Sequence, residues 1–206
     1  MPLIAKYAGN TDKSYQPHPE GQFVATCVDA IDLGERVEQF ENNPKRLVPK
    51  MALVFRTGEV NENGDEIYPA LELTLSMGEK ATLRRHLEAW RGKPYTPAQV
   101  AEGIDIEKLV GQPAMLTITQ QQSKQGQTYA KVMGIAAVHP KLRDEAPGMG
   151  DYQRPKYWEE RINDYLAEAQ AFRAEQGRKA APAKVESDPL TTDALADSLP
   201  FNAGVR

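Results

Sequence analysis

In this 206-residue chain, two pairs of carboxylates that lie close to hydrophobic runs are the candidates for acid–base chemistry. Asp65 and Glu72 form the pair most similar to a nuclease site, but no lysine follows Glu72, as such a site would need. Asp29 and Asp32 lie near the end of an apolar run, which is typical of a cap or a turn. We therefore interpret Asp65 as a turn residue and Glu72 as a solvated strand residue, with no catalytic role.

Nucleophiles, metal ligands and phosphate-binding loops give no stronger indication of an enzyme. Cys27 is the one cysteine, which excludes an internal disulfide, and its apolar neighbours are typical of a small core residue. The histidines His18, His86 and His139 have no metal-ligand spacing. The sequence contains neither G-x-x-x-x-G-K-[ST] nor G-x-G-x-x-G. We expect a protein that is not an enzyme and that uses no metal and no cofactor.

The charge of the chain is unevenly distributed. Residues 1–143 contain 17 Lys and Arg and 17 Asp and Glu, whereas residues 144–206 contain 8 and 12, which accounts for the whole formal net charge of −4. A neutral body followed by an acidic end is typical of an interaction tail. No apolar run reaches the roughly 18 residues of a membrane span, and the N-terminus does not resemble a secretory signal. We expect a cytoplasmic protein without membrane contact.

One helix has several sequence signals. Ser76 and Glu79 have the S-x-x-E spacing of a capping box. An apolar stripe with spacings of i, i+4 and i+7 follows: Leu83, Leu87 and Trp90. Gly92 lies where a glycine commonly ends a helix.

Short runs of β-type residues lie on both sides of this helix. Strands are predicted over residues 22–33, 47–57, 67–77, 114–121 and 128–138. Five strands with a helix between the third and the fourth are in the order of the OB-fold, a small Greek-key barrel. The predicted fold class is therefore mainly β.

The flanking segments complete the predicted organisation. In chain order we expect a flexible arm over 1–20, an OB-fold domain over 21–141, a Pro/Gly linker over 142–154, a C-terminal helix over 155–177 and a disordered acidic tail over 178–206. The apolar face of the C-terminal helix suits docking on the barrel as well as dimerisation, so a homo-oligomer stays possible.

An OB-fold binds single strands on its second and third strands and in the loops between strands 1–2 and 4–5. Binding needs cations for the phosphates and aromatic rings for the bases. The residues in those places that we expect to bind are Arg36, Lys45, Arg46, Lys50, Phe55, Arg56, Tyr68, Lys124, Tyr129 and Lys131.

Two of these aromatic residues illustrate the alternatives. Phe55 alternates with Leu53 and Met51, so a core position competes with a base-stacking role. Tyr129 alternates with Ala130 and shares one face of its strand with Lys131, which favours an outer position.

Three blocks of sequence together resemble phage and prophage single-stranded-DNA-binding proteins with an OB-fold. They are Gly21–Gly34, Leu73–Lys93 and Ile104–Pro113. The resemblance implies a non-catalytic protein that coats single-stranded DNA during phage-type replication or recombination, in the cytoplasm of a bacterial host. It assigns no binding residues, so the site prediction rests on charge and fold order.

The acidic tail carries a second resemblance. Asp193, Asp197 and the run Leu199-Pro200-Phe201 are similar to the acidic tip of bacterial single-stranded-DNA-binding proteins, which recruits replication and repair enzymes. Here Phe201 is followed by residues 202–206, so the terminal carboxylate of that tip is not beside the phenylalanine. We expect the tail to recruit protein partners and hypothesise that it competes with DNA for the basic groove.

The neutral body keeps a second class of function open. An OB-like adaptor of a replication complex would bind proteins and would not bind DNA itself. Such an adaptor predicts no salt-sensitive binding to DNA, which distinguishes it from the first function.

Overall fold

The computed structural model describes residues 16–180, and it is mainly β. Its strands are β1 Gly21–Glu38, β2 Arg46–Arg56, β3 Ala70–Thr74, β4 Pro113–Gln122 and β5 Thr128–Ala136. Its α-helices are α1 Thr82–Arg91, α2 Pro97–Glu102 and α3 Lys156–Ala180, with short 3-10 helices at Glu107–Leu109 and Pro140–Glu145. The five predicted strands and the helix between the third and fourth are therefore confirmed.

The strands form one antiparallel sheet in the order β3-β2-β1-β4-β5. The long connection through α1 and α2 returns β4 to the side of β1, which gives the 4-1-2-3 order of a Greek key. The sheet is open, with β3 and β5 as its unpaired edges among the described residues. The structure therefore has an open five-stranded sheet where a Greek-key barrel was predicted.

The shortness of β3 contributes to the open edge. The predicted strand over 67–77 is reduced to five residues, all of which pair with β2. The amide of Ser76 donates to the carbonyl of Thr74 at 2.9 Å, so the chain turns away directly after the strand. Leu75, which lay within the predicted strand, is exposed.

β1 is longer than its sequence suggested because Gly34 is a bulge and not an end. The pairing of β1 with β2 shifts register between Asp32 and Gly34 and then continues to Glu38. Gly34 has a positive φ of 76°, and its amide donates to Asp32 Oδ1 at 2.8 Å. The glycine thus bends the strand while the ladder continues.

α1 covers one side of the sheet. Its predicted stripe of Leu83, Leu87 and Trp90 is buried in the main core, and Gly92 ends it in the left-handed conformation, as predicted. The predicted capping box is wrong, because the helix begins at Thr82 and its N-cap, Ala81, makes no side-chain cap. The Ser76 hydroxyl instead accepts from the amide of Gly78 within the preceding turn.

α3 covers the opposite side of β1 and β2. Its buried Trp158 and Tyr165 form a second apolar cluster together with Val28, Ile31, Leu33, Ala52 and Val54. This 25-residue helix extends three residues beyond its predicted end. The apolar face of this helix suited either docking on the strands or dimerisation, and the structure shows it packed on the sheet.

The segment before α3 also contacts the sheet. Arg154 donates to both carboxylate oxygens of Asp29 at 2.8 Å. Thr26 donates its hydroxyl to the carbonyl of Pro147. The predicted linker over 142–154 therefore forms hydrogen bonds with β1 at two residues, Thr26 and Asp29.

Candidate nucleic-acid interface

α3 packs on β1, and its side chains extend over the outer face of β2 and reach Glu72 on β3, where we expected a single strand to bind. Trp158 lies against this face and is 2% exposed. Further along the helix, Arg161 pairs with Glu72 on β3, and the Tyr165 hydroxyl donates to the same carboxylate at 3.4 Å. Ala52 and Val54 on the outer face of β2 are buried, so no base can stack on the centre of this strand.

Two predicted cations at this face make contacts within the protein. Lys50 forms an ion pair with Glu38 at 2.6 Å and donates to the Thr74 hydroxyl at 3.0 Å. The guanidinium of Arg36 lies 5.4 Å from the centre of the Tyr165 ring. Both cations thus interact with neighbouring strands or with α3.

Arg56 and Tyr68 meet at one carboxylate. Arg56 Nε lies 2.9 and 3.1 Å from the two oxygens of Glu66, and its Nη1 donates to the carbonyl of Gly148 at 2.9 Å. The Tyr68 hydroxyl donates to Glu66 as well. The Arg56 and Tyr68 hydrogen bonds lower the pKa of Glu66 to about 2, while burial and the bond to Glu66 raise the pKa of Tyr68 to about 12.

Phe55 is part of the main core. It is 0% exposed, and its ring centre lies 5.7 Å from that of Trp90. A fully buried ring has no face available to a base, so its predicted stacking role is wrong. The alternation with Met51 and Leu53, which are buried beside it, had indicated the core position.

Two further predicted residues are exposed, Lys45 in the loop between β1 and β2 and Arg46 at the start of β2. The guanidinium of Arg46 lies 5.1 Å from the centre of the exposed Phe40 ring. Lys45 directly precedes Arg46 in the sequence. Two acids, Glu38 and Glu41, are close in sequence, and Glu38 pairs with Lys50. This loop is therefore of mixed charge.

The β4–β5 hairpin presents the remaining three predicted residues together. Tyr129 and Lys131 alternate on the solvent face of β5, opposite Gln121 and Thr119 of β4, and Lys124 is exposed in the connecting turn. The Tyr129 hydroxyl donates to Gln121 Oε1 at 3.1 Å, which fixes the position of the ring. Tyr129 remains 36% exposed.

Sequence reasoning missed Met133, which continues this row on β5. It is 47% exposed, and its sulfur lies 3.8 Å from Gln121 Nε2. The same alternation that placed Tyr129 and Lys131 on the outer face could have identified it. We call the set of Lys124, Tyr129, Lys131 and Met133 the hairpin face.

A second missed signal is the charge of this part of the chain. Between Glu107 and Asp144 the sequence contains no Asp or Glu, and it contains five cations: Lys108, Lys124, Lys131, Lys141 and Arg143. Lys108 pairs with Asp105 at 3.3 Å. Within residues 16–180 the other four form no salt bridge. The hairpin is thus a locally basic surface in a chain with a net charge of −4.

The remaining predicted elements carry no site in the described part of the chain. The tail residues Asp193, Asp197, Leu199, Pro200 and Phe201 lie outside the described residues. Residues 16–180 contain no cluster of three or more His, Cys, Asp or Glu that could hold a metal ion. No helix in this range is long and apolar enough to cross a membrane.

Comparisons with known proteins do not assign the chain. No model of a known protein family matches it, and a search of curated proteins finds no significant match. The function must therefore be inferred from the surface chemistry described above.

Proposed function

We propose that this protein is a non-catalytic, sequence-independent single-stranded-DNA-binding protein that binds DNA on the hairpin face. The observation that carries the proposal is the stretch without acids between Glu107 and Asp144, which presents exposed Lys124, Lys131 and Tyr129 on one hairpin. In a chain with a net charge of −4, this is the described strand pair that a polyanion would approach with the least repulsion.

The side chains of the hairpin face match the two needs of such binding. Lys124 and Lys131 form no salt bridge with the described residues, so they can release counterions from phosphates. The fixed ring of Tyr129 offers a stacking surface for a base, and base–aromatic stacking tolerates any sequence. The polar neighbours Gln121 and Thr119 add no negative charge.

An OB-like architecture is part of the proposal. The Greek-key order, in which β1 pairs with both β2 and β4, supports it, since OB-folds are partly open Greek-key barrels. The loop between the fourth and fifth strands is one of the two that flank the binding face of that fold. Because α3 covers the strand face itself, binding moves to this flanking hairpin. Replication or recombination of phage-type DNA is the proposed setting, with the acidic tail as the recruiting segment.

One observation favours a second candidate function. α3 covers the strand face that OB-folds use for nucleic acid, which suits an adaptor whose exposed surfaces bind proteins instead. This adaptor would not bind DNA at any salt concentration, so one experiment distinguishes the two candidates.

The experiment measures fluorescence anisotropy with a labelled oligo-dT of about thirty nucleotides, which is long enough for one or more OB sites. The full chain is titrated across a salt series, with a duplex of equal length in parallel. We expect salt-sensitive binding to the single strand and weaker binding to the duplex. A protein that fails to bind the single strand at low salt is not a DNA-binding protein, and the adaptor function then stands.

A matched pair of variants locates the interface. The double substitution Lys124→Ala and Lys131→Ala removes both cations of the hairpin face. The control, Lys80→Ala with Lys156→Ala, removes one exposed lysine from the turn before α1 and one from the start of α3. We expect the first double variant to lose affinity and salt dependence and the control to keep both. Equal losses in the two variants would show that total charge, and not the hairpin face, determines binding.

A further inference from the structure

A cavity of about 330 Å³ opens between the C-terminal end of α1 and the chain that leaves β5. Its apolar walls include Leu87, Trp90 and Leu109, and Arg91, Gln112 and Arg143 contribute its principal polar groups. None of its lining residues in the described part of the chain is acidic. Its volume is at the lower end of the roughly 300–1,000 Å³ that small-ligand sites have, which suits one nucleotide-sized group.

The walls of this cavity are held in place. Trp90 donates its indole N–H to the carbonyl of Pro113 at 2.7 Å, so its polar group is already satisfied and its ring is fixed. The amide of Ala137 donates to the carbonyl of Ala89 at 3.1 Å, which joins the end of β5 to α1. A ligand would therefore enter a preformed space.

The two arginines of the cavity provide a site for an anion. Arg91 lies 4.6 Å from the centre of the Tyr95 ring and donates to Gln99 Oε1 at 3.1 Å, which leaves most of its donors unused. Arg143 is exposed and forms no salt bridge with the described residues. Guanidinium groups bind phosphate oxygens through paired hydrogen bonds.

The position of the cavity connects it with the hairpin face. Tyr129 lies near the start of β5, and Ala137, which lines the cavity, follows its last residue. Eight residues of extended strand span roughly 27 Å. Arg143 also belongs to the stretch without acids, so the chain between the hairpin turn and the cavity contributes no carboxylate.

We propose that this cavity binds one nucleotide of the single strand that runs along β5, with its phosphate at Arg91 and Arg143 and its base against the accessible Leu109 and Ala137. The inference rests on the proposed function, and it adds a specific nucleotide subsite at the far end of the DNA path. A base against the apolar part of the wall and a phosphate at the two arginines use both chemical parts of the site.

The first test compares Arg143→Ala with Arg85→Ala in the full chain. Both remove one exposed arginine, but Arg85 lies on α1 outside the cavity lining, and its guanidinium donates to the Thr82 hydroxyl. We expect Arg143→Ala to weaken oligo-dT binding about tenfold, the loss of one charged hydrogen bond, and to reduce the salt slope by about 0.7. Arg85→Ala should leave both quantities unchanged.

The second test observes the cavity directly. The chain has two tryptophans, so a ¹⁵N-labelled sample gives two indole N–H resonances, which Trp90→Phe assigns. On titration with thymidine monophosphate and with oligo-dT we expect the Trp90 resonance to shift and that of the buried Trp158 to stay. Arg143→Ala should abolish the shift caused by the mononucleotide.

The outcomes separate the two proposals. If oligo-dT binds wild type, Arg143→Ala and Arg85→Ala equally and the Trp90 resonance stays, the subsite is overturned and the proposed function stands. If oligo-dT does not bind wild type, both are overturned. If a peptide of residues 189–206 shifts Trp90 and the mononucleotide does not, the cavity is a peptide site, and the nucleotide assignment is wrong.

Discussion

Arg56 on β2 holds both carboxylate oxygens of Glu66 through its Nε, at 2.9 and 3.1 Å, while the Tyr68 hydroxyl donates to the same carboxylate. Arg56 also donates to the carbonyl of Gly148. One guanidinium therefore connects the strand, the following hairpin and the segment that leads to α3. This assigns Arg56 and Tyr68 a structural role in positioning α3.

The Arg56–Glu66 pair predicts a pH dependence of stability. The pKa of Glu66 is about 2 in the folded protein, below its ordinary value of 4.5, because Arg56 and Tyr68 hydrogen-bond to the charged form. Such a group stabilises the fold above its unfolded pKa, and this contribution is lost as the pH falls from about 4.5 toward 2. We expect Glu66→Gln to lower the free energy of unfolding at pH 6, and to lower it less at pH 3, where part of the contribution is already lost.

Urea unfolding at the two pH values measures this difference. Glu62→Gln is the control, because Glu62 is an exposed carboxyl on the preceding turn that forms no salt bridge with the described residues. The control should show the same small effect at both pH values. A Glu66→Gln effect that does not change between pH 6 and pH 3 would contradict the role of the charged carboxylate.

The packing of α3 predicts a large loss of stability when Trp158 is truncated. Trp158 is 2% exposed and contacts the apolar cluster on the outer face of β1 and β2. Trp158→Ala should lower the free energy of unfolding by about 3–5 kcal/mol, as large aromatic truncations in cores do. Leu166→Ala, at a half-exposed position of the same helix, should cost less than about 1 kcal/mol. Similar losses in the two variants would mean that α3 is not docked through Trp158.

The burial of Cys27 predicts an unreactive thiol. Burial raises the pKa of Cys27 to about 12, and the residue is 0% exposed. Because the thiolate is the nucleophile, alkylation at pH 8 should be at least about a thousandfold slower than for an ordinary thiol. Iodoacetamide labelling followed by mass spectrometry measures this, with the urea-unfolded chain as the reactive reference. Comparable labelling rates in the native and unfolded protein would place Cys27 outside the core.

The local features of the fold were predictable, since each has a short-range signal. The α1 stripe ends at a glycine in the left-handed conformation, and the polar turn around Lys124 separates two alternating runs. The predicted strand over 22–33 ended too early at Gly34, because glycine is common both at strand ends and at bulges. Only the pairing of β1 with β2 distinguishes the two.

The long-range features were not predictable, because partners distant in sequence determine them. The Lys50 and Arg56 charges suggested a basic cluster, but Glu38 and Glu66 neutralise them in the fold. The apolar face of the C-terminal helix showed that it must be buried, but not that it covers the outer face of β2. The hairpin residues kept their predicted exposure because both of their strands are local in sequence.

The difference between paired and unpaired cations predicts unequal effects on DNA binding for two of the lysines that the sequence predicted to bind. Lys50 is paired with Glu38 at 2.6 Å, whereas Lys131 forms no salt bridge with the described residues. Only an unpaired cation releases counterions when a phosphate binds, so Lys131→Ala should reduce the salt slope of oligo-dT binding by about 0.7. Lys50→Ala should leave the slope unchanged. A reduced slope for Lys50→Ala would indicate that α3 moves and exposes the outer face of β2 when DNA binds.

Tyr129 provides the sharpest prediction for the hairpin face, because its ring and its hydroxyl have separable roles. The hydroxyl donates to Gln121 Oε1, and the ring is the surface on which a base would stack. Tyr129→Ala should weaken oligo-dT binding by about 1–3 kcal/mol, the usual contribution of one stacked base. Tyr129→Phe keeps the ring and should retain most of the affinity. Anisotropy titrations of both variants at one salt concentration measure this, and a phenylalanine that fails to restore binding would assign the contribution to the hydroxyl instead of to stacking.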